Sequence, residues 1–336
     1  MSSRILRVDP WNPAPETIEE AAAILRFGGL VAFPTETVYG LGADGLDPRA
    51  AAKIFAAKGR PADNPLILHF AAPEAVDDVA RVSPNARRLM ELFWPGPLTL
   101  VLPSRGTVPS EVTAGLDTVA VRMPSHPAAL ALLAGAGVPV AAPSANSSGR
   151  PSPTDASAVA DDLGDAVDLI LDGGPTSVGV ESTVLDVTGE HLVLLRPGGC
   201  SVEEIETRTG AEVLLSGGAA HRSPGTRYRH YAPRVPLLLD SDAGRIVRAA
   251  RESGTGERRI AWVGMHAPET SLGEGIAHPE LRIVFDSPEN YARGLFHALR
   301  AFEEEGADLI AAQWPSSDAG IMRALRDRLT RASMKE

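Results

Sequence analysis

The sequence predicts an α/β protein of two domains: a twisted mixed-sheet domain, then a smaller doubly wound, Rossmann-like one. Three observations predict it. The chain has 336 residues, enough to bury two cores. Apolar runs of strand length alternate with capped amphipathic segments from end to end. Between 216 and 235 this pattern gives way to "SGGAAHRSPGTRYRHYAPRV", rich in glycine, proline and small residues. The expected domains are therefore 1–215 and 236–336, with a linker or lid at 216–235.

The elements follow in order. "TIEEAAAILRFGG" reads as a helix, with Thr17 and Glu20 at capping-box spacing and Gly28 just past the end. Residues 30–33 form a short buried strand. It opens onto Pro34, Thr35, Glu36, Thr37, Val38 and Tyr39, a polar cluster of the kind found at a sheet rim where ligands sit. Gly40 and Gly42 would let a backbone pass close by. "DPRAAAKIFAAKG" is a second helix, with Asp47 as N-cap, Pro48 at N1 and Gly59 as the stop. Residues 65–70 read as a buried strand. Ser83 and Pro84 start a third helix, followed by strands at 98–103 and 119–124. A helix from about 126 to 133 leads to a strand at 138–143, with more strands at 167–171, 183–187 and 191–195. Beyond the linker, strands at 235–240, 258–264, 281–286 and 307–313 alternate with helices at 242–253, from Ser287 onward, and at 318–332. No G-x-G-x-x-G follows the first of these strands, so no dinucleotide site is expected there.

Composition narrows the function. Hydrophobic residues make up 44% and charged residues 22%, which places the chain in the ordinary globular class. A net charge of −11 argues against a broad duplex-binding surface but leaves room for a small basic pocket. One cysteine, Cys200, rules out an internal disulfide framework and a thiolate zinc cluster, and fits a reducing compartment. "MSSRILRVDPWNPAP" has no apolar core of signal-peptide length, and the longest uncharged stretch, Pro127 to Gly149, is broken by glycines and prolines. A cytoplasmic protein with no membrane span is expected.

Arginine outnumbers lysine 29 to 3. Lys58 is kept in "KGRP", with Arg60 two residues on and Asn64 and His69 downstream. A point charge beside a forked donor suits an anion, but a lone K-x-R at a helix end is more simply a solvated C-terminus. "APSANSSGRPSPT" (142–154) follows a strand and offers Ser144, Asn146, Ser147, Ser148 and Ser152. It is equally a phosphate cradle or a polar turn. Glu181, Ser182 and Thr183 precede one strand, Arg196 ends another, Thr118 precedes a third and Arg122 lies within it. Arg122 has apolar neighbours and needs a partner, either a structural carboxylate or a substrate's. No Ser-His-Asp or Cys-His constellation is visible.

Taken together, "PTETVYGLG", "KGRP…NPLILH", "WPGPLTLVL", "VAVRMPSHP", "APSANSSGRPSPT", "GGPTSVGVESTVLD", "LRPGG" and "SPGTRYRHYAP" resemble the Sua5/YrdC family. The resemblance spans nearly the whole chain, with the linker motif and second domain of the long, Sua5 type and a YrdC-like catalytic domain before them. It implies L-threonylcarbamoyladenylate synthesis for the t6A modification of tRNA. L-threonine takes up bicarbonate-derived CO2, and the resulting carboxylate attacks the α-phosphate of ATP. By that resemblance Arg60, Asn64, Thr118, Ser144, Asn146, Ser152, Arg196 and Tyr231 contact ATP. Thr37, His69, Arg122, Ala142 and Ser182 frame threonine. Lys58, with Arg60, is the candidate catalytic pair that neutralises charge. Mg2+ accompanies ATP, held by phosphates and water rather than by a dedicated protein site. The downstream t6A transferase machinery is the implied partner. Glu36 is left as either a substrate contact or the partner of a buried arginine. The rivals are an RNA-binding module and a carbamoyl-phosphate-using transferase.

Overall fold

The computed structural model describes residues 4–216, 230–240, 259–266 and 281–334. The chain divides into two compact units: Met1–Ser148 with Ser152–Arg227, and Gly149–Pro151 with Tyr228–Glu336. The helix expected at 242–253 and most of the linker lie outside the described residues.

In the first unit the strands are β1 (Arg4–Arg7), β2 (Val31–Phe33), β3 (Gly40–Asp44), β4 (Ile67–His69), β5 (Leu98–Pro103), β6 (Thr118–Arg122), β7 (Val140–Ala141), β8 (Leu169–Asp172), β9 (Thr183–Asp186), β10 (Leu192–Arg196) and β11 (Val213–Leu215). They form one mixed sheet in the order β1-β8-β2-β3-β7-β4-β6-β5-β9-β10-β11. The helices are α1 (Pro15–Arg26), α2 (Pro48–Lys58), α3 (Pro84–Phe93), α4 (Ser110–Thr113), α5 (Pro127–Ala136), α6 (Ala156–Leu163) and α7 (Val202–Thr209).

The caps explain the helix starts. Asp47 and Ser83 accept the amides of Arg49 and Ala86, and Gly59 ends α2 at φ 60°. Helix α1 departs from expectation. It starts at Pro15, and Ala14 makes no side-chain cap. Proline at N1 has no amide to satisfy and a φ already helical, so it sets the start ahead of Thr17.

Two-residue alternation splits the side chains between the faces of the sheet. On one face Leu68, Leu100, Val121 and Leu185 join the main core with residues of α2, α3, α6 and α7. On the other, Val31, Phe33, Val140 and Leu169 pack with α1 and α5. Farther along that second face lies a cluster built from strand residues alone: Ile67, Val101, Ala120, Val184 and Leu195.

The second unit holds β12 (Leu237–Asp240), β13 (Ile260–Gly264), β14 (Arg282–Val284) and β15 (Leu309–Gln313), all parallel, in the order β12-β15-β13-β14. With them go α8 (Pro288–Glu304), capped by Ser287, and α9 (Ile321–Ser333). A parallel sheet in which α8 crosses over from β14 to β15 agrees with the predicted doubly wound pattern. Within this unit Arg150 makes a two-bonded ion pair with Glu303 at 2.7 and 2.8 Å. No helix among the described residues is long and apolar enough to cross a membrane.

Candidate active site

The strand-only cluster marks the site. His69 lies two residues from Ile67, Thr118 and Arg122 flank Ala120, Thr99 precedes Val101 by two, and Ser182 precedes Val184 by two. Alternation therefore puts all five polar side chains on one face. His69 and Arg122 are paired neighbours in β4 and β6. Ser182 Oγ and Thr99 Oγ1 share a hydrogen bond of 2.8 Å. These five side chains share a sheet face, and the 34–39 loop, which leaves the end of β2, folds against it.

Arg122 ties that loop down. It is 4% exposed, and its guanidinium donates from Nη1 to Thr37 Oγ1 (3.0 Å) and from Nε to the Gly96 carbonyl (3.3 Å). Its Nη2 meets Glu36 Oε1 at 2.7 Å. The partner that a buried arginine requires is thus Glu36, whose Oε2 also accepts the Ser125 amide at 3.1 Å. The amides of Val178 and Gly179 donate to the Glu36 and Thr37 carbonyls (2.8 and 3.1 Å), holding the loop from outside.

Two features of this stretch serve the core and not a ligand. A Cβ on Gly42 would fall 2.9 Å from the Phe33 ring and from Val140, so the glycine makes room for packing. Tyr39 is fully buried and donates its hydroxyl to the Gly174 carbonyl at 2.7 Å.

Lys58 is not a solvated helix end. It is 4% exposed, and Nζ donates to the carbonyls of Ser144 (2.5 Å) and Asn146. Burial, then the nearby charge of Arg60, pulls its pKa well below the usual lysine value. The half-buried Arg60 donates to the carbonyls of Asn64 (3.3 Å) and Pro65 (3.1 Å). The 142–148 loop is wrapped around Lys58. Its Ser148 amide donates to the Lys58 carbonyl (2.8 Å), Ala145 to Tyr39 (2.8 Å) and Ser147 to Asp162 Oδ2 (3.2 Å). These amides are spent inside the fold. Ser144 Oγ donates to Asn146 Oδ1 at 2.5 Å.

The third strip runs along β9 and β10. Arg196, 5% exposed, donates to the Ser182 carbonyl (2.9 Å) and Oγ (3.2 Å). Ser152 Oγ donates to the buried Glu181 carboxylate. A Cβ on Gly198 would lie 2.3 Å from the Glu181 carbonyl oxygen, so only glycine passes there. Ala142 is buried and donates its amide to the Ile67 carbonyl at 2.9 Å. Thr118 and Asn64 are also buried. Tyr231 belongs to the second unit. It has φ 65°, its ring stacks on Phe296 (5.3 Å), and the Arg328 guanidinium lies 5.1 Å from its centroid. Thr99 and Gly198 were not singled out from sequence; a threonine inside the apolar run "LTLVLP" was the available signal for Thr99.

His69 is 4% exposed, and its Nδ1 lies 3.1 Å from the Ile67 carbonyl. Burial and then the Arg122 charge push its pKa down to about 3, so the ring is neutral. Among the described residues no three His, Cys, Asp or Glu side chains converge as a metal-binding set. Cys200 is buried, and burial pushes its thiol up to about 12. Alkylation of the native protein by iodoacetamide is therefore expected to leave Cys200 unmodified until denaturant is added, as read by mass spectrometry.

Two family models match the chain. One, described as "Telomere recombination" and named for Sua5, YciO and YrdC, covers residues 23–198. The other, described as the threonylcarbamoyl-AMP synthase C-terminal domain, covers residues 200–334. The threonylcarbamoyl-AMP synthase of Pyrococcus abyssi is 44% identical over 97% of this chain and 95% of its own. That of Bacillus subtilis is 46% identical over 94% and 92%. Among solved structures, P. abyssi Sua5 complexed with L-threonine matches with a TM-score of 0.89 at 42% identity, covering 98% of both chains. E. coli YciO matches 58% of this chain and 96% of its own, with a TM-score of 0.54 at 30% identity.

Proposed function

The chain belongs to the Sua5/YrdC family of threonylcarbamoyl-AMP synthases, and we propose that it makes threonylcarbamoyl-AMP from L-threonine, bicarbonate and ATP. The threonine nitrogen bonds to the carbon of bicarbonate-derived CO2 and loses a proton. A carbamate oxygen then attacks the α-phosphorus of ATP, the α–β bridge breaks, and pyrophosphate leaves. Charge moves onto phosphate oxygens, so the reaction asks for fixed cations and donors rather than a nucleophilic side chain.

The observation that carries this reading is the buried cation–hydroxyl pair of Arg122 and Thr37 on the same sheet face as His69 and Ser182. Arg122 would meet the threonine carboxylate, with Thr37, His69, Ala142 and Ser182 around the rest of the amino acid. Arg60, Asn64, Thr118, Ser144, Asn146, Ser152 and Arg196 would contact ATP, and Lys58 would offset phosphate charge. Magnesium fits as the counter-ion that ATP brings, on phosphate oxygens and water. The two buried site carboxylates, Glu36 and Glu181, are already engaged by Arg122 and Ser152. The product is a reactive mixed anhydride, which the t6A transferase machinery would consume on tRNA.

Pyrophosphate release in ATP, Mg2+, bicarbonate and L-threonine tests the proposal, with mass detection of the adenylate. Release should require both threonine and bicarbonate. Serine should be used less well by about tenfold, since one methyl group is worth only about 1–3 kcal/mol. Release without any amino acid, or release that needs carbamoyl phosphate instead, would overturn it.

A further inference from the structure

We infer that Thr35 and Glu36 are positioning residues that fix what Thr37 and Arg122 present to the amino acid; this rests on the synthase reading. Thr35 Oγ1 lies 2.6 Å from the Val38 carbonyl, which can only accept, so the single Thr35 hydroxyl proton points there. At the 2.8 Å contact between the two threonine oxygens, Thr35 is then the acceptor and Thr37 the donor. The amide of Thr37 also donates to Thr35 Oγ1, at 3.1 Å. Thr37 Oγ1 itself accepts from Arg122 Nη1.

One backbone carbonyl thereby sets the polarity of the chain Arg122, Thr37, Thr35, Val38. With its proton committed, Thr37 offers a ligand only a lone pair. It can receive an N–H or O–H and cannot donate to a carboxylate or phosphate.

Glu36 completes the frame. Its two oxygens are engaged by Arg122 and by the Ser125 amide, in a pocket where both side chains of the ion pair are below a tenth exposed. Glu36 pins the guanidinium, together with Gly96 and Thr37, so that the cation holds one orientation. An acceptor and a cation set 3.0 Å apart suit the adjacent N–H and carboxylate of an α-amino acid.

Thr35→Val and Glu36→Gln in the full-length chain test this. L-threonine affinity is read by calorimetry without nucleotide, and KM for threonine and for ATP by pyrophosphate release. Each variant should weaken threonine by about tenfold or more, the effect of losing a hydrogen bond within a charged network. KM for ATP should stay unchanged. Thr35→Ser keeps the hydroxyl chain and should restore affinity, which a purely packing role would not. Thr35→Val leaves the buried ion pair in place, so it decides the matter even where Glu36→Gln fails to fold. Unaltered or tighter threonine binding in a folded variant overturns the proposal. An active wild type with unmoved variants sinks this inference alone, whereas a wild type that releases pyrophosphate without threonine sinks the synthase reading beneath it.

Discussion

Lys58→Met is expected to lower threonine-dependent pyrophosphate release by about 100-fold or more, the effect of removing one preorganised donor from a charge-stabilising site. It should also destabilise the fold. The Lys58 ammonium lies within hydrogen-bond reach of the Ser144 and Asn146 carbonyls, and methionine leaves both without that donor. Each buried acceptor so orphaned costs about 1–3 kcal/mol. Lys58→Arg should not rescue. The side chain is 4% exposed, and a planar fork has neither the room nor the geometry of a point charge between two carbonyls.

The charge itself is costly to hold. Burial and Arg60 depress the Lys58 pKa, so between the folded value and the ordinary 10.5 the unfolded chain carries a proton that the folded chain lacks. Stability contributed at this position therefore rises as pH rises through that window. Activity that depends on the ammonium falls over the same window. The alkaline limb of kcat should appear below the ordinary lysine range and vanish in Lys58→Met. Full activity in the methionine or arginine variant would return "KGRP" to a helix end with no role in the chemistry.

Residues differ in how legible such roles were before the fold was in hand. Helix starts were legible where a side chain caps the helix, as at Asp47, Ser83 and Ser287, because the cap is a local interaction. Strand β3 was not, because "GLGAD" has little strand propensity of its own. It is a strand because β2 and β7 pair with it on both sides and the Phe33 ring fills the space left by Gly42. The same distinction separates the site residues. His69, Arg122 and Ser182 were grouped by the family resemblance alone, since period two gives a side chain's face within a strand but not that β4, β6, β5 and β9 lie side by side. The ion pair of Glu36 with Arg122 could not be placed, since it depends on a loop folding back over a sheet face, 86 residues away in sequence. Lys58 shows the converse. Its position at the end of α2 read as solvent-facing, and only the 142–148 loop closing over it makes it a buried charge.

His69 is expected to make the first unit sensitive to mild acid. Its folded pKa is held near 3, against an ordinary value of 6.5. Between those values the unfolded chain binds a proton at this residue and the folded chain does not. Stability is therefore full above 6.5 and is lost progressively as pH falls toward 3. By linkage, the loss from this one residue is about 2 kcal/mol at pH 5. The side chain is 4% exposed, so solvent does little to screen the effect. His69→Gln removes the titrating group while keeping a side chain able to donate to the Ile67 carbonyl, which the ring faces at 3.1 Å. The variant should start from lower stability, because the Phe33 ring loses its edge-on aromatic neighbour at 6.3 Å. Yet it should lose less between about pH 7 and pH 5 than the wild type, by about those 2 kcal/mol, in urea unfolding at the two values. Carboxylates titrating elsewhere contribute equally to both proteins and cancel in the comparison. The ring stays neutral throughout this range, so any acidic limb in the rate near pH 6 should survive in His69→Gln and belong to the substrates or to another group. Equal losses in the two proteins would show that His69 takes up its proton in the folded state at an ordinary pH, with the β4–β6 face open enough to water to solvate it.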